Sequence, residues 1–260
     1  MPAGGAGRPS TEPVPLLSVR GLDKRFGGLH AVKAVDLDLA PGEIVGILGP
    51  NGAGKTTLYN LLTGFIPADA GEVRFEGRSI RGLAPHRIVS MGIARTFQLC
   101  RPFVGMSVLE NVLVGSLGPR VPAGDREARA RRLLALVGLG GKEAQPAELL
   151  SYGDQRRLEI ARALATEPKL LLLDEPFAGL GSGEIDELSD VIRRLHARQG
   201  LTILLIEHKL REFMKLVSRV VAIDFGEVIA QGTPKDIVDD PRVIEAYIGR
   251  QEPATEDVDA

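Results

Sequence analysis

The chain has 260 residues, 44% of them hydrophobic and 25% charged, which is enough apolar material for one large domain or for a core with a smaller lobe. A net charge of -2 shows no overall basic excess of the kind that tracks nucleic acid, so a DNA or RNA partner is not expected. The single cysteine, Cys100, excludes an internal disulfide and cannot alone build a zinc site, which leaves burial as a small hydrophobe.

Residues 1–15 are rich in Pro, Gly and Ala, lack the apolar stretch of a signal peptide, and read as a disordered tail. From Leu16 to Leu39 short alternating pieces (Leu17, Val19, Leu22, then Val35, Leu37, Leu39) predict half-buried antiparallel strands around Gly27 and Gly28. Pro41 and Gly42 then turn the chain into the apolar run Ile44 to Leu48. The stretch Gly49-Pro50-Asn51-Gly52-Ala53-Gly54-Lys55-Thr56-Thr57 follows, ahead of helix-compatible Leu58, Tyr59, Leu61 and Leu62. Strand, glycine-rich loop and helix is the context that G-x-x-x-x-G-K-[ST] requires. Its backbone N–H groups would cradle phosphate oxygens, Lys55 would sit against the β- and γ-phosphates, and Thr56 would offer its hydroxyl to Mg²⁺.

Further along, Gly71 to Gly77 alternates as a strand, Pro85 to Val89 predicts a short helix, and Gly92 to Phe97 a strand reaching Gln98. Between 98 and 166 helical spacing takes over, first near Met106 to Val114 and then from Asp125 to Val137, where Ala130, Leu133, Leu134 and Val137 share a face. The arginines 129, 131 and 132 read either as solvated helix charges or as a polyanion site. A last helix in this stretch opens at Ser151, a natural N-cap, and runs to Ala165. From 167 to 235 the pattern returns to α/β. The continuous runs Leu170 to Leu173 and Leu201 to Ile206, separated by a helix carrying Ile185, Leu188, Ile192 and Leu195, predict parallel strands covered on both faces. Val220 to Ile223 and Val228 to Ala230 form a hairpin. Residues 236–250 read as a C-terminal helical segment and 251–260 as an acidic tail. Nowhere does an apolar run approach the roughly 18 residues of a bilayer span.

Polar clusters follow directly on three apolar runs: the phosphate loop, Asp174-Glu175, and Glu207-His208. Parallel strands would gather all three on one carboxyl edge, where ligands bind in open α/β sheets. There Asp174 is placed to hold Mg²⁺ directly or through water, Glu175 to take a proton from an attacking water, and His208 to sense a γ-phosphate. Taken singly, an acidic pair before Pro176 also reads as a helix cap, and a histidine after a strand as a hydrogen-bonded surface residue.

Together these motifs resemble the ATP-binding-cassette (ABC) ATPases, in that family's order over almost the whole folded chain. The resemblance implies an α/β P-loop NTPase core with N-terminal antiparallel strands and a helical sub-domain, binding ATP and Mg²⁺. Gly49 to Thr56 matches the Walker A motif, Gln98 the Q-loop glutamine, Leu150 to Asp154 the signature, Leu170 to Asp174 Walker B, Glu175 the catalytic glutamate and His208 the switch histidine. It further implies that Phe26 stacks on adenine, that Gln98 joins the metal site, and that Ser151 and Gly153 approach phosphate. Arg95-Thr96-Phe97-Gln98, YGDQRRLEIARAL from Tyr152, and Pro241 to Gly249 are similar to the Liv-type importers of branched-chain amino acids. Two departures stand out: Tyr152 and Asp154 replace the usual Gly and Gln of the signature, and Gly181 stands where an aspartate is common. The implied partners are a second cassette, identical or paralogous, in a head-to-tail dimer, transmembrane permease subunits on the cytoplasmic face of the membrane and, indirectly, a solute-binding protein. Import of another small solute, a soluble ATPase outside transport, and a module without activity are the alternatives.

Overall fold

A computed structural model describes residues 14–248; the expected tail at 251–260, residues 1–13 of the expected tail at 1–15, and residues 249–250 of the expected C-terminal helical segment lie outside the described residues. The chain begins with the strands β1 (Leu17–Phe26), β2 (Leu29–Leu39) and β3 (Ile44–Leu48), and helix α1 (Lys55–Leu62). Strands β4 (Ala70–Phe75) and β5 (Arg78–Ser79), helix α2 (Pro85–Met91) and strand β6 (Ile93–Arg95) follow. Three helices come next: α3 (Val108–Gly115), α4 (Arg126–Leu136) and α5 (Tyr152–Leu164). The α/β pattern resumes with β7 (Leu170–Asp174), α6 (Ser182–Gln199), β8 (Thr202–Ile206) and α7 (Leu210–Met214). The chain closes with β9 (Arg219–Asp224), β10 (Glu227–Gly232), α8 (Pro234–Val238) and α9 (Pro241–Ile248).

Two sheets organise these elements. One is antiparallel in the order β2-β1-β4-β5; the other runs β10-β9-β3-β8-β7-β6. Within the second, β9, β3, β8, β7 and β6 are all parallel, with Ile44 opposite Ile203 and Leu170 opposite Thr202. The continuous leucine run of β7 is thereby explained, because alternate side chains supply different cores. Leu170 and Leu172 pack with Val45, Ile47, Leu204 and the residues of β1, β2 and α1. Leu171 and Leu173 pack on the other face with Ile203, Leu205 and the apolar sides of α5 and α6. At roughly 1.5–3 kcal/mol per fully buried leucine or isoleucine, the two faces hold the sheet in register from both sides.

Helix α3 starts with a capping box in which Ser107 Oγ accepts from Glu110 N and the Glu110 carboxylate accepts from Ser107 N. Helix α4 buries Ala130 and Leu134, as its spacing predicts. Of its arginines, Arg129 pairs with Glu167 and Arg131 with Glu127 one turn away, which favours the solvated-charge reading for those two.

Tyr59 is fully buried under the central sheet, and its hydroxyl donates to Leu204 O at 2.7 Å and lies 3.2 Å from Leu173 O. Burial pushes its pKa well above the ordinary tyrosine value, so it remains a donor at every accessible pH. Tyr59→Phe is expected to cost about 1 kcal/mol, read as a lower urea midpoint at unchanged m-value.

Candidate functional site

The end of β3 leads into the phosphate loop, where Gly49 is buried, Asn51 and Gly52 are exposed, and Ala53 is buried. Gly54 sits at φ 101 just ahead of α1, and a Cβ there would lie 2.3 Å from Ala31 O on β2. Only glycine satisfies both the backbone angle and the close approach. Among the described residues no side chain caps α1, which leaves its first-turn N–H groups available to an anionic ligand. Lys55 folds back over the loop, and its Nζ donates to Gly49 O at 2.6 Å and Pro50 O at 2.8 Å. Burial lowers its pKa while the charges of Glu175 and Asp174 oppose that shift, so the lysine sits within the field of both carboxylates. Thr56 is exposed at the start of α1, and Thr57 beside it is half-buried.

Because β3, β7 and β8 are parallel neighbours, their ends meet on one edge, as expected from the sequence. Glu175 lies between Gln98 and His208: Gln98 Nε2 donates to its Oε2 at 3.0 Å, and its Oε1 lies 3.0 Å from His208 Nε2. Its backbone is left-handed at φ 49, a conformation that costs a non-glycine residue free energy and recurs at functional sites. Asp174 is 2% exposed, with its Oδ2 2.7 Å from Arg95 Nη2. Glu207, beside His208, is also buried and accepts the backbone N–H groups of Phe177, His208 and Lys209. It therefore locks the loops after β7 and β8 together. Thr56, Gln98 and Asp174 line one cavity of about 780 Å³ with Asn60 and Arg95.

Phe26, Ser151 and Gly153 form no hydrogen bond with this cluster among the described residues. Phe26 is 47% exposed at the end of β1 with the Lys24 ammonium over its ring. Ser151 caps α5 by accepting from Asp154 N at 3.2 Å, and Gly153 is buried where a Cβ would meet Glu184 Oε1 at 2.3 Å. The two departures in the signature are both engaged: Tyr152 Oη accepts from Arg156 Nη2, and Asp154 pairs with Lys142. Gly181 N donates to Glu184 Oε2 at 2.9 Å, a bond within its own helix start.

Sequence reasoning missed several residues that hold the site together. Arg156, 2% exposed on α5, donates to Phe97 O, Gln98 O and the Tyr152 hydroxyl. Glu159, one turn later, accepts from Phe97 N at 2.6 Å and from the Cys100 thiol. The glutamine loop is thus tied to the signature helix by buried charges, a role visible only as two polar positions on the inner face of α5. Tyr247 of α9 places its hydroxyl 3.0 Å from Gly49 N, accepting that N–H from the far end of the chain. Cys100 departs from the expected small hydrophobe: it is half-buried and hydrogen-bonded to a carboxylate, and burial with Glu159 pushes its pKa up to about 12.

Known proteins are similar to this chain in sequence and fold. The family described as ABC transporter matches residues 32–178, and that described as branched-chain amino acid ATP-binding cassette transporter matches residues 227–253. The chain is 44% identical to the high-affinity branched-chain amino acid transport ATP-binding protein LivG of Escherichia coli K12, over 90% of this chain and 98% of that one. It is 43% identical to BraF of Pseudomonas aeruginosa, a protein of the same description, over the same shares. Among solved structures, the ADP conformation of the cassette MJ1267 superposes with a TM-score of 0.83 at 34% identity, covering 91% of this chain and 99% of that one. A dimeric, post-hydrolysis cassette, MJ0796 bound to ADP and Pi, does so at 0.74 and 26% identity, over 84% and 98%.

Since the thiolate is the reactive form and the thiol is held up at about 12, alkylation of Cys100 by iodoacetamide at pH 8 is expected to run about 100-fold or more slower than that of a free cysteine. Guanidinium unfolding should restore the ordinary rate. Rapid labelling of the folded chain would contradict the hydrogen-bonded Cys100–Glu159 pair.

Proposed function

The chain belongs to the ABC transporter family of ATP-binding cassettes, and from that membership we propose that it is the ATP-hydrolysing subunit of an importer of branched-chain amino acids. The observation that carries the catalytic reading is Glu175, held between Gln98 and His208 at the strand end beside the phosphate loop. In this reading ATP lies along the loop with its adenine on Phe26. Gly49, Asn51, Gly52, Ala53, Gly54 and Thr57 supply the cradle, and Lys55 exchanges two neutral carbonyl acceptors for phosphate oxygens, a gain for a charge-assisted bond. Glu175 then orients a water and takes its proton, while His208 and Gln98 fix its two oxygens and signal the presence of the γ-phosphate.

The donor set suits a magnesium ion. Thr56, Gln98 and Asp174 offer oxygens to one cavity, and Asp174 Oδ1 accepts no hydrogen bond among the described residues. When bound, Mg²⁺ would neutralise charge on the β- and γ-phosphates. Thr56, Asp174 and Gln98 are the residues that would hold it.

The signature residues Ser151 and Gly153 stand apart from this chain's own loop, which supports a reading in which a second cassette, identical or paralogous, presents them across a head-to-tail dimer. ATP would close the pair and hydrolysis open it, since ATP binds the two states unequally. Permease subunits fit the exposed apolar segment Phe97, Leu99, Phe103, Val104 and Met106, which sits directly on the glutamine loop. In this reading residues 98–166 form the sub-domain that relays the nucleotide state to that segment through Arg156. A solute-binding protein would act only through the permease. Among the described residues no helix is long and apolar enough to cross a membrane, so attachment to the cytoplasmic face would run through those subunits.

With the permease subunits reconstituted, ATP hydrolysis should be stimulated by a leucine-like amino acid on its binding protein; stimulation only by an unrelated solute would overturn the assigned cargo. Glu175→Gln should keep ATP affinity and slow turnover about 100-fold or more, while Lys55→Ala should weaken nucleotide binding itself. Near-normal turnover in Glu175→Gln would remove that residue from the proton-accepting role.

A further inference from the structure

We propose that Arg95 is the positioning residue for the Asp174 carboxylate, holding one of its oxygens so that the other is presented to the metal. The inference rests on the reading above, in which Asp174 and Thr56 receive Mg²⁺. Asp174 is 2% exposed, and burying a carboxylate that deeply is costly unless a partner faces it. Its partner comes from the neighbouring strand: β6 runs parallel to β7 with Arg95 opposite Leu172, which puts the arginine two residues short of Asp174 at the strand end. Arg95 Nη2 donates to Asp174 Oδ2 at 2.7 Å, and among the described residues its hydrogen bond to this carboxylate is to that oxygen alone. The same segment also grips the backbone, since Asp174 N donates to Thr96 Oγ1 at 3.2 Å.

Arg95 is itself held on every side. Its Nη1 donates to Asn60 Oδ1 at 2.6 Å and lies 3.4 Å from Thr63 Oγ1, both on or just after α1. The rings of Phe97, Tyr59 and Phe65 surround the guanidinium at 5.1, 5.4 and 6.0 Å from its carbon. Its side chain is 6% exposed, and its Nε–H is buried with no hydrogen-bond partner among the described residues. A structural salt bridge would gain from the two-pronged geometry that a guanidinium offers a carboxylate. Here the fork is divided instead, one prong to α1, which carries Thr56, and one to β7, which carries Asp174. The two residues read as metal ligands are thereby referred to a single rigid plane. Lysine cannot reproduce this, having one ammonium and no fixed angle between its bonds. Groups that orient a metal-binding carboxylate from behind typically change metal affinity 10–100-fold when removed.

The deciding variant is Arg95→Lys, which keeps the charge and loses the fork. The full chain is saturated with a non-hydrolysable ATP analogue, and its thermal midpoint is followed as Mg²⁺ is titrated. The expected result is a rise of about 10-fold or more in the half-saturating Mg²⁺ concentration. Binding of the analogue in EDTA should stay within about twofold of the parent, a combination that general loosening would not produce. Should Arg95→Lys fail to fold, Asn60→Ala decides, because it leaves the guanidinium and Asp174 in place and removes the shorter of the two bonds that hold the other prong; it should raise the same Mg²⁺ requirement. A half-saturating Mg²⁺ that is unchanged or lower in the deciding variant overturns the proposal. A parent chain with no Mg²⁺-dependent stabilisation would instead overturn the nucleotide site itself.

Discussion

Parallel pairing obliges β3, β7 and β8 to end on the same edge of one sheet, and the chemistry of this chain depends on that constraint. Each strand is buried on both faces, so register cannot slip without moving leucines and isoleucines from one core to the other. The residue after each strand is therefore placed by packing that lies well behind it. Lys55, Glu175 and His208 come from segments far apart in sequence, yet each is delivered by the same hydrogen-bonded ladder. Antiparallel pairing would have sent Asp174 and Lys55 to opposite rims.

Behind that edge a second set of contacts prevents the polar ends from relaxing. Glu207 ties the loops after β7 and β8, Tyr59 bridges carbonyls of the same two strands, and Arg95 spans α1 and β7. All three are buried polar groups, strong where water is excluded and expensive if left unpaired. The junction with the helical segment is built in the same way: Arg156 and Glu159 hold the backbone of Phe97 and Gln98 where an apolar contact would have slid freely. A loop held by directional bonds has a small number of defined positions, which suits a segment that carries Gln98 against Glu175 and borders an exposed apolar surface.

Much of this was legible in the residues alone. Periodicity located the central strands and the helices up to α6, because burial on two faces leaves a continuous apolar run and burial on one face leaves a spacing of three to four, whereas the five-residue α7 is too short to show a period. The phosphate loop was legible because a backbone that must curl around phosphate needs glycine at fixed places, and the gathering of three polar clusters followed from the parallel reading. Cys100 was misread as a plain hydrophobe because its partner, Glu159, lies 59 positions away. Arg95 stood in a recognisable stretch with no role attached, since a basic residue at a strand end looks the same whether it meets water or a carboxylate.

What the sequence determined by itself, then, was local: strand, loop, helix, and the residue types that each strand delivers at its end. The tertiary structure alone decided the pairings that connect those ends, namely Arg95 with Asp174, Arg156 with the glutamine loop, and Tyr247 with Gly49. The physical reason is that periodicity reports which face of an element is buried, and it does so through many residues at once. A hydrogen bond between distant segments is made by single atoms, and only the packed backbone sets the few ångströms that create it.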